Sequence, residues 1–136
     1  MSVRTIMLAG TLALLVTLGI GGGAGSAIRL DVPAGANEAV WRDALAERLH
    51  GKTEVVIAYG RIDVLAKDCA IEIDFLHKYH ECLGQALHYA DATGIQGVMA
   101  LIVESQAEYA ANSDRIAWIE EWANKRDVCM VVLMRK

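Results

Sequence analysis

The chain has 136 residues, of which 54% are hydrophobic and 22% charged, with a single proline and a net charge of -4. These figures exclude a disordered tail, a collagen-like chain and a small disulfide scaffold. They also exclude a broadly basic coat for nucleic acid, so any such contact must be local or carried by metal ions.

Arg4 is the only charged residue before Arg29. Between them come an almost wholly apolar run, Ile6 to Ile20, and a small-residue stretch, Gly21 to Ala27. A basic start, an apolar middle and a small-residue end make the pattern of a secretory signal, cut after Ser26 or Ala27. The competing reading is an uncleaved membrane anchor, because residues 5–28 carry no charge and are long enough to span a bilayer. Residues 28–136 are then one domain, secreted or periplasmic, or anchored with the domain outside the cytosol. A chain of that size buries roughly two-thirds of its unfolded surface, enough for one core.

Residues 29–36, with Pro33, read as a lead-in loop. Asn37 can cap a helix from about Glu38 to His50, stopped by Gly51. The period then falls to two, giving strands over Thr53 to Tyr59, Arg61 to Leu65 and Cys69 to Phe75. Gly60 allows the first turn, and Lys67 with Asp68 makes the second. Phe75 to Thr93 reads as a long helix closed by Gly94. Gly97 to Val103 is an apolar run suited to a strand buried on both faces. Residues 104–112 read as a polar connection. Ser113 can cap a helix to about Lys125, and Val128 to Leu133 is a last strand. The expected fold class is α/β: an α-β-β-β-α-β core whose mixed central sheet is flanked by helices, followed by a C-terminal helix and strand.

Cys69, Cys82 and Cys129 all sit in apolar stretches. A disulfide between two of them and three buried thiols are both open readings, and their spacing matches no zinc pattern. Trp118 and Trp122, four residues apart, are expected to pack one face of the last helix on the sheet, while an interface built from them and Trp41 is the alternative.

Asp63 stands inside an apolar strand, between Ile62 and Val64. Glu72 and Asp74 share a face of the next strand. Adjacent antiparallel strands can bring these carboxylates together, where a hard divalent cation would relieve their repulsion. The simpler reading is the wet face of a half-exposed sheet. On the long helix, Leu76, Tyr79, Leu83, Ala86, Leu87 and Ala90 form a core stripe. Lys78, Cys82, Gln85 and Tyr89 form a second stripe beside it, adjacent to the acids. His77, His80 and His88 project to a third face, which reads as solvated.

The strings Gly60-Arg61-Ile62-Asp63-Val64, Ala70-Ile71-Glu72-Ile73-Asp74-Phe75 and Gly84-Gln85-Ala86-Leu87-His88-Tyr89-Ala90 together resemble the PD-(D/E)xK nucleases, the restriction-endonuclease-like superfamily. Gln85 and Tyr89 resemble the Gln-x-x-x-Tyr pattern of its RecB-like branch. The resemblance covers roughly residues 38–103. It implies metal-dependent phosphodiester hydrolysis of nucleic acid, DNA favoured over RNA. Asp63 and Glu72, with Asp74 and the helix-one acid Glu47, would hold Mg²⁺ or Mn²⁺. Gln85 and Tyr89 would position the phosphate or a bound water. The family's lysine belongs two residues after Glu72, where this chain has Asp74. Lys78 is the expected replacement and Lys67 the weaker one. Without a replacement the resemblance implies a non-cleaving binding module; an anchored envelope interaction protein is the remaining alternative.

Overall fold

The stretch expected as a loop begins as a strand. The computed structural model describes residues 27–136, so nearly all of the expected leader lies outside the described residues. Ala27–Leu30 forms β1, paired in parallel with the last strand of the chain. Four residues carry too little pattern to announce a strand whose partner lies more than a hundred positions away.

The helix α1, Glu38–Leu49, starts where the Asn37 side chain accepts the Val40 N–H at 3.2 Å. It ends one residue earlier than expected: His50, not Gly51, takes the left-handed conformation, with φ 54°. Three strands follow as a meander, β2 Lys52–Ile57, β3 Gly60–Ala66 and β4 Cys69–Phe75. The turn between β3 and β4 is the two-residue pair Lys67–Asp68, both left-handed. Such turns carry the twist that flanking strands need.

A short 3₁₀ turn, Leu76–Lys78, replaces the first residues of the expected long helix, and α2 runs from Tyr79 to Thr93. β5 is Gln96–Ile102. The expected polar connection contains a helix, α3, Gln106–Ala111, capped by Ser105. Its six residues bury no side chain, so no apolar period marked it. α4 is Ser113–Asn124 and β6 is Cys129–Arg135.

The six strands form one mixed sheet in the order β1-β6-β5-β4-β3-β2. Among them β3 alone runs against the rest. α1 covers one face, where Trp41, Leu45 and Leu49 meet Ile71, Ile73, Val98 and Leu133. α2 and α4 cover the other, where Leu83, Ile116 and Ile119 meet Met99, Leu101, Met130 and Val132. β5 and β6 are therefore apolar on both faces, which explains their unbroken hydrophobic runs.

Trp41 of α1 is fully buried against the sheet, so it serves no interface. Ile116, Ile119 and Ala123 pack α4 on the sheet, with Trp122 partly buried against the same core, while Trp118 turns away and is 52% exposed. All three cysteines are buried thiols. Cys82 lies on the opposite face of the sheet from Cys69 and Cys129. Those two stand on β4 and β6 with β5 between them, two strand spacings (roughly 9–10 Å) apart sideways and offset along β5 from Gln96 to Val98, too far for a disulfide. Among the described residues no helix is long and apolar enough to cross a membrane.

α2 rests on β5 at Gly97, where an added Cβ would lie 2.6 Å from the Ala86 carbonyl oxygen. Gly97→Ala must push the helix away from the sheet. It is expected to cost about 1–3 kcal/mol, lowering the melting temperature by roughly 5–20 °C in a thermal melt.

Candidate active site

The site begins where two strands part. β3 and β4 pair at Ala66 with Cys69, Leu65 with Ala70 and Val64 with Ile71, and there the ladder stops. The next residue of β3 is Asp63. Its Oδ2 accepts the Ile73 N–H at 2.9 Å, so a carboxylate takes the place of a strand carbonyl. Ile62, one step further, packs with Ala70 and Tyr89, while Val64 stays in the core under α1.

The other neighbour of β3 carries a matching irregularity. Pairing runs on either side of Glu54, which faces Asp63, and Glu54 itself is left-handed at φ 54°. Its carboxylate is held by Arg42 of α1 at 2.9 Å and by Arg61 at 3.5 Å. A non-glycine residue in that conformation inside a strand costs about 1–2 kcal/mol, and such strain gathers at functional sites.

Glu72 stands beside Asp63, half-buried. The Tyr89 hydroxyl, brought in by α2, contacts both the Glu72 carboxyl and the Arg61 carbonyl, the latter at 2.6 Å. A phenol has one proton. If it donates to the Arg61 carbonyl, the Glu72 carboxyl must supply the other hydrogen. Burial, and then the charge of Asp63, push the Glu72 carboxyl up to about 9, against a lowering by the Tyr89 contact. Glu72 is thus a neutral acid at neutral pH. Burial and Glu72 in turn push the Tyr89 phenol up, so it keeps its proton.

Asp74 lies at the end of β4 and is buried. Burial and the neighbouring Glu38 carboxylate raise it to about 7, while Lys78 opposes that rise. The Lys78 ammonium is 3.2 Å from Glu38 Oε1. That bond and the acids around it raise Lys78, so it acts as a fixed cation rather than a base. Lys78 therefore reaches the acid group through Glu38 and Asp74, at the start of α2.

Two expected residues do not join this group. Gln85 is exposed on α2, so of the Gln-x-x-x-Tyr pair Tyr89 enters the site. Glu47 is exposed too, about 13 Å along α1 from Glu38, where it lines a recess with Arg29, Asp31, Arg48 and Lys136. The helix-one acid that does arrive is Glu38, in the first turn of α1. Lys67 sits exposed in the turn at the far end of the hairpin. His77 and His80 are exposed, and the His88 ring nitrogen bonds the Ala58 carbonyl at 2.9 Å. Glu38, Arg42 and Glu54 carried no period or motif of their own; only the crossing of α1 over the meander brings them in.

Among the described residues no three His, Cys, Asp or Glu side chains stand close enough together to hold a metal ion. Asp63 and Glu72 are an all-oxygen pair, suited in kind to a hard cation. In the form described here, the Ile73 amide and the Tyr89 hydroxyl engage their oxygens.

The fold and site define an α/β domain with a buried carboxyl group set in a split of its sheet. No family model, no curated protein and no solved structure matches the chain.

Proposed function

We propose that this domain hydrolyses phosphodiester bonds in nucleic acid, DNA in preference to RNA, in the manner of the PD-(D/E)xK nucleases. The observation that carries the reading is the meeting of Asp63 and Glu72 in the β3–β4 split, with Tyr89 of α2 on Glu72. The element order α-β-β-β-α-β supports it as well.

A bound Mg²⁺ or Mn²⁺ would supply a polarised phosphate and an activated water. Asp63 would hold the ion through its second oxygen while Oδ2 keeps the Ile73 amide. Glu72 would hold it after giving up its proton, a release that the ion's charge favours. Tyr89 keeps Glu72 oriented and is itself fixed by the Arg61 carbonyl. Lys78 places a permanent positive charge beside Asp74, where it would stabilise charge developing on the phosphate.

The test is metal-dependent cleavage of labelled single-stranded and duplex DNA. Cleavage with Mg²⁺ or Mn²⁺, its loss in EDTA, and a drop of about tenfold or more in Lys78→Ala are expected. Intact substrate with both metals would defeat the hydrolytic reading.

A second reading is a non-cleaving binding module of the same fold. Asp74 in the place of the motif lysine, and the proton on Glu72, favour it. The export of the domain is proposed from the leader sequence alone; N-terminal sequencing of the purified protein should begin near Ile28.

A further inference from the structure

We propose that the Trp118–Trp122 pair is a stacking platform for unpaired bases, so that the strand reaching the acid site is single-stranded. This rests on the nucleic-acid reading above and adds the substrate class.

Trp118 is stacked on Trp122, with ring centroids 5.5 Å apart and planes 15° from parallel. Tyr79 of α2 meets both rings edge-on, at 6.3 Å and 6.1 Å, and His80 meets Trp122 at 5.6 Å. The exposed indole is thereby held in one orientation, which removes much of the entropy cost of stacking a base on it.

Cations accompany the rings. The Arg126 guanidinium lies 5.0 Å from the Trp122 centroid, and that of Arg115 lies 6.0 Å from the Tyr79 centroid. Two acids share this side of α4, Asp114 and Glu121, and Glu121 is paired with Lys125 at 3.3 Å. Between Ser113 and Asp127 the cations Arg115, Lys125 and Arg126 stand against the acids Asp114, Glu120, Glu121 and Asp127, so what suits a polyanion here is the placing of the Arg115 and Arg126 guanidiniums on the rings rather than an excess of positive charge. Flat π-faces flanked by guanidiniums are what sequence-tolerant single-strand binding requires.

The position fits as well. Tyr79 and His80 directly follow Lys78, whose ammonium sits on Glu38 beside Asp74. A strand stacked on the platform therefore lies at the start of α2, beside Lys78 and Asp74 and about 15 Å along the helix from Tyr89, which contacts Glu72. A duplex hides its base faces, so the platform selects unpaired strand. A protein partner fits the patch poorly. Among the described residues Trp118 is the one large apolar side chain exposed on α4; Val56 and Tyr59 belong to the β2–β3 hairpin and Val40 to α1. One indole is far short of the roughly 800 Å² per side of a stable protein interface.

The test is binding in EDTA, so that it needs neither metal nor cleavage. A fluorescein-labelled oligothymidylate is titrated with protein and read by anisotropy, beside a blunt duplex of equal length. We expect binding of the single strand with quenching of tryptophan fluorescence, and weaker binding of the duplex. Trp118→Ala should bind the single strand at least about tenfold more weakly, and Trp118→Phe should retain most of the affinity. The far-ultraviolet spectrum of Trp118→Ala should match wild type, because the side chain is exposed. Equal affinity of Trp118→Ala and wild type would overturn the platform. Absence of oligonucleotide binding, or a duplex bound as tightly as the single strand, would do the same. A change of oligomeric state in Trp118→Ala with unchanged oligonucleotide binding would overturn it in favour of a protein interface. Cleavage of duplex DNA that ignores Trp118→Ala would remove the platform and leave the acid site standing. Trp118-dependent binding without cleavage in any metal would support the platform and remove only the chemistry.

Discussion

Asp63→Asn is expected to abolish cation binding and cleavage, a loss of at least about a hundredfold, while leaving the fold intact. The reason is that, on the proposed metal-dependent reading, Asp63 has two separable duties. One oxygen accepts the Ile73 N–H and closes the end of the β3–β4 ladder. An amide oxygen can do the same, so Asn keeps the strand junction. The charge is the other duty, and Asn lacks it. Asp63→Ala loses both. Its Ile73 amide is left without a partner in a half-buried place, at a cost of about 1–3 kcal/mol. Mn²⁺ titration calorimetry on both variants, with thermal melts alongside, separates the two. Equal destabilisation by Asn and Ala would show that the charge, rather than the hydrogen bond, holds the junction. Unchanged Mn²⁺ binding in Asp63→Asn would remove Asp63 from the site.

Glu72→Gln is expected to destroy activity and to stabilise the protein. Its carboxyl titrates at about 9 in the folded chain, against an ordinary value of 4.5. Between those two pH values the folded state binds a proton that the unfolded state has released. Stability therefore falls as pH rises from about 4.5 to about 9, and the neutral-acid contribution is complete only below that window. Gln cannot ionise, so this part of the slope vanishes. Its amide can also donate to the Tyr89 oxygen while Tyr89 donates to the Arg61 carbonyl. Wild type and variant should match near pH 4, and the variant should be ahead by about 2 kcal/mol or more at pH 9. Melts at pH 4, 7 and 9 read the difference directly; parallel curves would mean that Glu72 is ionised in the fold. The same proton should oppose cation binding, so wild-type Mn²⁺ affinity should rise with pH up to about 9.

These expectations point to a trade between stability and chemistry at one place. Glu72 and Asp74 are carboxyls that the sheet buries beside other acids, and Glu54 holds a strained backbone across from Asp63. A domain selected for stability alone would place neutral residues there.

Much of the frame was legible in the chain, because its signals are local. The period of two over β2 to β4, the turn residues Lys67 and Asp68, and Gly94 at the end of α2 act within a few positions. The double-sided apolar runs of β5 and β6 likewise announced a covered sheet. β1 and α3 were hidden for opposite reasons. β1 depends on a partner at the far end of the sequence, and α3 buries no side chain fully, Tyr109 packing only partly on the core.

For the site, the sequence by itself determined which residue types were present and which strand or helix carried them: Asp63 and Glu72 on neighbouring strands, Tyr89 on the helix that follows. The tertiary structure decided which of them meet. The rotation of α2 buries Cys82, Ala86 and Tyr89 and leaves Gln85 outside, although period alone put Gln85 and Tyr89 in one stripe. The crossing of α1 brings Glu38 to Asp74 and carries Glu47 away, although both are acids on that helix. The packing of Ile116 and Ile119 turns Trp118 outward. Periodicity fixes which residues share a side of an element, but the angle at which that side meets its neighbour is set by the fit of the core. That fit belongs to several segments at once and to no single stretch of sequence.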